Sequence, residues 1–139
     1  MSSSLWNLNV SIESQPEKGC ALIGTIREKL TELKWPEGDI FKIHLATEEV
    51  VMNAIKHGNK LDPEKLVSVV CDIHPDRFEL DVADEGEGFH RDDVPDPTRE
   101  ENLLQESGRG LKIMENFMTS VDYIGCGNRV RLTKERSDD

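Results

Sequence analysis

Glu49, Asn53 and His57 stand four residues apart in the stretch EEVVMNAIKHGNK, residues 48–60. On a helix that spacing puts them on one face, each about 6 Å along the axis from the last. An asparagine inside a helix competes with the backbone for hydrogen bonds, so its amide needs another use. A side-chain amide oxygen is a hard ligand suited to Mg²⁺, which takes few protein ligands and completes its shell with water and phosphate. A carboxylate one turn earlier is placed to accept a proton from a nucleophile approaching such a phosphate. The same spacing also describes a helix with an ordinary solvated polar face.

Two glycine-bearing stretches carry further candidates. DEGEGF, from Asp84 to Phe89, follows a run with strand character. Gly86 and Gly88 allow a sharp turn and close backbone approach to a flat ligand. Asp84 is an acceptor suited to an exocyclic amine such as adenine N6. SGRGLKIM, from Ser107 to Met114, opens a helical pattern. Gly108 and Gly110 before a helix start leave N–H groups pointing outward, which favours an anion, and Arg109 between them adds positive charge. Each stretch alone reads equally well as a flexible loop or a plain helix start. No GxxxxGK[ST] sequence occurs, which excludes a P-loop, and DEGEGF lacks the third glycine of a dinucleotide fingerprint. The four histidines show no metal-ligand spacing.

The elements that must position these residues follow from periodicity. Trp6, Leu8, Val10 and Ile12 alternate as in a strand with one buried face. Leu22, Ile26, Leu30 and Leu33 repeat at helical spacing. KWPEGD reads as a turn with Asp39 as N-cap of a helix over about Ile40–Lys56, striped by Ile43, Ala46, Val50 and Ala54. Gly58 then ends that helix as a C-terminal glycine. LVSVVCDIHPDRFELDVAD reads as a hairpin turned at His74–Arg77. The polar stretch between Asp84 and Gly110 has no clear periodicity, and a loop of that length in a small domain is usually functional or mobile. GLKIMENFM returns to helical spacing. A hairpin turned at Gly125–Asn128 closes the pattern, and RSDD is a polar tail. The order predicts one α+β domain over residues 1–139, a two-layer sandwich with helices on one face of a mixed, mainly antiparallel sheet.

Composition narrows the function. The 139-residue chain is 36% hydrophobic and 32% charged, with a formal net charge of −11. Such an acidic chain is a poor general binder of nucleic acid backbones, which require clustered Lys and Arg. Three scattered cysteines, 20, 71 and 126, with no CxxC pair argue against a disulfide framework or zinc finger and fit a reducing cytoplasm. No apolar run has the length of a bilayer span, and MSSSLWNLNV lacks the basic and apolar regions of a signal peptide. The expectation is a cytoplasmic protein with no membrane association and no direct nucleic acid contact.

Taken in order, EVVMNAIKHGN, DEGEGF and SGRGLKIMENFM closely resemble the N, G1 and G2 boxes of the GHKL (Bergerat-fold) ATP-binding family, which includes histidine kinases, gyrase and bacterial anti-sigma factors. The resemblance covers nearly the whole chain. It is nearest to the RsbW/SpoIIAB-type anti-sigma factor serine-protein kinases, through the His-Gly of NAIKHGN and the stretch GLKIMENFMTSVDY. It implies a Bergerat-type fold, ATP and Mg²⁺ as cofactors, and roles at matching positions. Glu49 is then the general base and Asn53 the Mg²⁺ ligand. Asp84 reads adenine, and Gly86, Gly88 and Phe89 surround the ring. Gly108, Arg109, Gly110 and Leu111 close over the phosphates, and residues 90–107 form an ATP lid. Lys56 falls where histidine-kinase domains often carry a phosphate-binding lysine. Asn128, in GNRV, stands where the family usually has the threonine of GTxV, which assigns its amide to the adenine network. The implied partners are a sigma factor and a STAS-domain anti-anti-sigma protein that is phosphorylated on serine or threonine, with the kinase acting as a homodimer. The same residues also fit a non-catalytic ATP-dependent binding module, or a signalling domain acting on a partner other than a sigma factor.

Overall fold

The computed structural model describes residues 4–85, 116–124 and 128–137. Strand β1 spans Trp6–Glu13, helix α1 Pro16–Glu32 and helix α2 Glu37–Asn53. A π-helical turn, Ala54–Gly58, continues α2. Strands β2 (Leu66–Ile73) and β3 (Arg77–Ala83) form the first hairpin, and β4 (Ser120–Ile124) pairs with β5 (Arg129–Glu135) in the second. The sheet order is β1-β2-β3-β5-β4. Every described pairing is antiparallel, so the mixed sheet expected from the sequence is antiparallel throughout its described strands. The lid assigned to residues 90–107, most of the helix read in GLKIMENFM, and Gly125–Gly127 of the last turn lie outside the described residues.

Alternation places Val67, Val69, Cys71 and Ile73 of β2 and Phe78, Leu80 and Val82 of β3 on the buried face. Trp6, Leu8, Val10 and Ile12 extend that face along β1. Leu22, Ile26 and Leu30 of α1 and Ile43, Ala46 and Val50 of α2 pack onto it, as their spacing predicts. Gly19 brings α1 against the end of α2: a Cβ there would stand 2.8 Å from Ile55 Cδ1. The opposite sheet face is mainly polar, with Leu66 and Val70 exposed on it. On it Arg129 and Arg131 both bind Asp81, at 2.8 and 3.1 Å, tying β3 to β5.

Two helix boundaries differ from the sequence reading. α2 starts at Glu37, three residues before the expected Ile40, directly after Pro36. Pro36 is the N-cap, with an extended backbone (φ −56°, ψ 140°), and its missing N–H is one that a helix start would have left without an intrahelical partner anyway. Asp39 therefore lies inside the first turn and is not the N-cap. Its carboxylate is 2% exposed and accepts hydrogen bonds from Ser137 N–H at 2.8 Å and Ser137 Oγ at 2.7 Å. Lys134 Nζ stands 3.4 Å away. Part of the polar tail is thus an anchor for α2. Gly58 is the second difference, described with the site below.

Burial alone would push the Asp39 carboxyl up, but the two Ser137 hydrogen bonds and the Lys134 charge outweigh it and hold it below its ordinary value. A carboxyl depressed in the folded state contributes stability that is full above the unfolded pKa and is lost as pH falls through the folded one. Asp39→Asn is expected to cost about 1.5–3 kcal/mol at neutral pH, the worth of hydrogen bonds to a charged group. It should also flatten the loss of stability on acidification below about pH 4. Urea unfolding of both proteins at neutral and acid pH checks this, and parallel pH profiles would contradict it.

Candidate functional site

Glu49 and Asn53 are half-buried neighbours on α2. Asn53 Nδ2 donates to Glu49 Oε1 at 3.3 Å. An ionised carboxylate only accepts, so the amide must turn its N–H toward Glu49 and its oxygen the other way. That orientation suits an amide oxygen serving as a hard-cation ligand, and the donor set fits Mg²⁺ completed by water and phosphate. Burial raises the Glu49 carboxyl above its ordinary value, against the Asn53 hydrogen bond and the charges of His57 and Lys56. A carboxylate held this way is a stronger base than one in water. Among the described residues no cluster of three or more His, Cys, Asp or Glu has the arrangement of a metal cage.

After Asn53 the helix widens. Asn59 N–H bonds Ala54 O at 2.8 Å and Leu61 N–H bonds Ile55 O at 2.9 Å, closing rings larger than an α-helical one. π segments inside helices frequently accompany functional sites. Lys56 and His57 are exposed on this turn. Gly58 sits inside it, and the left-handed residues come later, at Lys60 (φ 53°) and Leu61 (φ 61°). Gly58 therefore does not terminate the helix by adopting φ > 0, as the sequence suggested. Its role is steric. A Cβ at residue 58 would overlap the Asp84 carboxylate, with Oδ1 only 2.8 Å away. The absence of a side chain lets the acidic group at the end of β3 rest against the end of α2.

Asp84 is held from the other side by Asn128. Asp84 N–H donates to Asn128 O at 2.9 Å, and Asn128 Nδ2 donates to Asp84 O at 3.2 Å. The Asn128 amide thus braces the backbone of the proposed adenine reader. The fold gathers Glu49, Asn53, Lys56, Asp84 and Asn128 along α2, its π turn and the adjoining ends of β3 and β5. Gly86, Gly88, Phe89, Gly108, Arg109, Gly110 and Leu111 lie outside the described residues. One residue that sequence reasoning left without a role is Asn59, which is fully buried beside Gly58. A buried asparagine directly after a helix-end glycine is a signal only once its partners from other segments are known.

A comparison with protein-family models matches residues 12–134 to the histidine kinase-like ATPase domain. The chain belongs to this family. Within it, the chain is 34% identical over 132 residues to the serine-protein kinase RsbW of Bacillus licheniformis, covering 84% of this chain and 82% of the relative. It is 33% identical over 113 residues to the anti-sigma F factor of Oceanobacillus iheyensis, covering 78% and 77%. Among solved structures, the RsbU and RsbW domains of Rv1364c from Mycobacterium tuberculosis superpose with a TM-score of 0.60 at 17% identity. That match covers 94% of this chain and 32% of the larger one, and it bears on the fold alone. The α+β architecture expected from the three boxes is the architecture of this histidine kinase-like ATPase domain. No described helix is long and apolar enough to cross a membrane.

The contact between Gly58 and Asp84 predicts that the cost of a methyl group at residue 58 disappears when the Asp84 carboxylate is removed. Gly58→Ala alone should destabilise by about 1–3 kcal/mol, because the added methyl displaces the carboxylate. In an Asp84→Ala background the same change should be neutral, or stabilising by up to about 1 kcal/mol, because alanine favours a helix over glycine. Denaturant unfolding of the four proteins gives the coupling. An additive cycle would contradict the close approach.

Proposed function

We propose that this protein is an anti-sigma factor with Mg-ATP-dependent serine/threonine-protein kinase activity, which sequesters a sigma factor and phosphorylates a STAS-type anti-anti-sigma protein. The observation that carries this reading is the joining of two chemistries. A helix face with a raised carboxyl beside an amide runs directly into the turn where Gly58 receives Asp84. The names of the relatives, anti-sigma F factor and serine-protein kinase RsbW, support the same class of activity and partner.

Asp84 accepts a hydrogen bond from the exocyclic amine of adenine, with Asn128 fixing its backbone. Asn53 turns its amide oxygen toward the phosphates, where it would hold Mg²⁺, and Lys56 adds positive charge from the exposed turn. Mg²⁺, when bound, neutralises charge on the phosphates. Glu49 orients the serine or threonine hydroxyl of the partner and takes its proton as the γ-phosphoryl group is transferred, leaving ADP. Phosphoryl transfer depends on positioning and charge stabilisation more than on covalent chemistry, so a small domain suffices. The nucleotide roles given to Gly86, Gly88 and Phe89, to residues 108–111 and to the lid over 90–107 belong to the same proposal.

Glu49 and Asn53 share a face but divide the work, so their variants should differ. Glu49→Gln keeps the shape and cannot take a proton. It should leave Mg-ATP affinity near that of the wild type while slowing transfer by about 10²–10⁴. Asn53→Ala should lose affinity and transfer together. Because burial raises the Glu49 carboxyl, the wild-type rate should fall on acidification at a higher pH than a glutamate in water would give. Transfer from labelled ATP to a STAS-domain partner, with nucleotide affinity measured in parallel, checks all of this. Transfer at the wild-type rate by Glu49→Gln would remove Glu49 as the base. A wild type that binds ATP and the sigma factor but transfers nothing would leave a non-catalytic binding module.

A further inference from the structure

Asn59 is 0% exposed, and its side chain bonds three separate segments, one seven residues on and two far away in sequence. Nδ2 donates to Ser14 Oγ at 2.8 Å, beyond the end of β1, and to Leu66 O at 3.0 Å, at the start of β2. Oδ1 accepts the Glu85 N–H at 2.7 Å, just past β3. These partners fix the amide orientation, since Leu66 O can only accept and Glu85 N–H can only donate. Ser14, itself 1% exposed, donates its hydroxyl hydrogen bond to Lys65 O at 2.6 Å. Glu85 returns its carboxylate to the Leu66 N–H.

The bond to Glu85 gains meaning from what lies on the far side of the same peptide unit. The peptide linking Asp84 to Glu85 offers Asp84 O on one edge and Glu85 N–H on the other. In a trans peptide these point in opposite directions. Asn128 Nδ2 donates to the first and Asn59 Oδ1 accepts from the second. One peptide plane is therefore gripped on both edges by side-chain amides, one from the residue before β5 and one from the residue after the π turn that continues α2. Rotation of that plane is rotation about the bonds flanking it, and the first of these is at Asp84. With Gly58 against its carboxylate, Asp84 is set in backbone and side chain together.

We propose that Asn59, acting with Asn128, is a positioning residue for nucleobase selection, because it locks the Asp84–Glu85 peptide and so aims the Asp84 carboxylate at the amine that distinguishes adenine. This rests on the nucleotide site argued above. Asn59 does not touch the base. Its loss lets the plane swing, and the carboxylate then meets the amine poorly, while contacts to ribose and phosphates are left as they were. The expected signature is a change in selectivity.

The probe pair is Mg-ATP and Mg-ITP, which differ at the purine 6-position by amine against carbonyl. The wild type should prefer ATP, and Asp84→Asn should erase the preference. Asn59→Ala should lose about tenfold in ATP affinity, the equivalent of one hydrogen bond, with ITP affinity little changed. Asn59→Asp keeps an acceptor for Glu85 N–H and should retain more of the preference. Asn128→Ala, which releases the opposite edge, should reproduce the loss even if Asn59→Ala fails to fold. Leu30→Ala, a buried change at the far end of α1, controls for general destabilisation and should keep the wild-type ATP:ITP ratio. A wild-type ratio in folded Asn59→Ala and Asn128→Ala would overturn the proposal. A wild type without ATP preference, unchanged by Asp84→Asn, would instead overturn the nucleotide reading on which the proposal rests.

Discussion

The site depends on how closely a carboxylate can approach a helix. Asp84 leaves β3 against Gly58 of the π turn, at a distance that no residue with a side chain would allow. Placing a negative group beside the C-terminal end of a helix is electrostatically unfavourable, since that end carries partial negative charge. The contact persists because the backbone on both sides is fixed by other bonds: Asn128 on Asp84 and Asn59 on Glu85. It aligns the α2 face with the end of β3. Without it, Glu49 and Asn53 would remain a polar helix face with no fixed relation to Asp84.

The layers of the fold make this approach reproducible. α1 and α2 bury Ile26, Leu30, Ile43 and Val51 against Val67, Val69, Phe78 and Leu80 of the sheet, which fixes the helix end relative to β3. Gly19 brings α1 close to Ile55, so the start of the π turn is packed by α1 as well. The far end of α2 is held through Asp39, Ser137 and Lys134. Local chemistry is tuned by the same packing. Burial raises the Glu49 carboxyl, whereas at Asp39, itself almost without solvent exposure, hydrogen bonds and a lysine outweigh the burial. Two carboxylates on one helix are thereby separated into one suited to proton transfer and one suited to anchoring.

Much of the architecture was legible in the sequence. Trp6-Leu8-Val10-Ile12 and Phe78-Leu80-Val82 alternate because one sheet face is buried and the other is mainly polar. The Glu49–Asn53 pairing was legible because helical spacing alone brings those side chains together. What stayed hidden depended on distant partners. Asp39 has the chemistry of an N-cap, but Ser137, 98 residues away, takes its carboxylate. Gly58 looks like a helix terminator until the Asp84 side chain is seen beside it. Asn59 was read as the end of a motif because its partners come from residues 14, 66 and 85. The glycine stretches around residues 86–89 and 108–111 were singled out by sequence, and their geometry lies outside the described residues.

The central claim is that the junction of the α2 end and the β3 end is a Mg-ATP site with Asp84 at its adenine end. The most direct measurement is a calorimetric titration of the wild type and of Asp84→Asn with ATP, with and without Mg²⁺. The wild type is expected to bind saturably and more tightly with Mg²⁺. Asp84→Asn, which replaces one carboxylate oxygen by an amide, should lose about 1.5–3 kcal/mol of binding free energy, roughly a ten- to hundredfold weakening. Equal ATP affinity in the two proteins, or no binding by the wild type, would contradict the account.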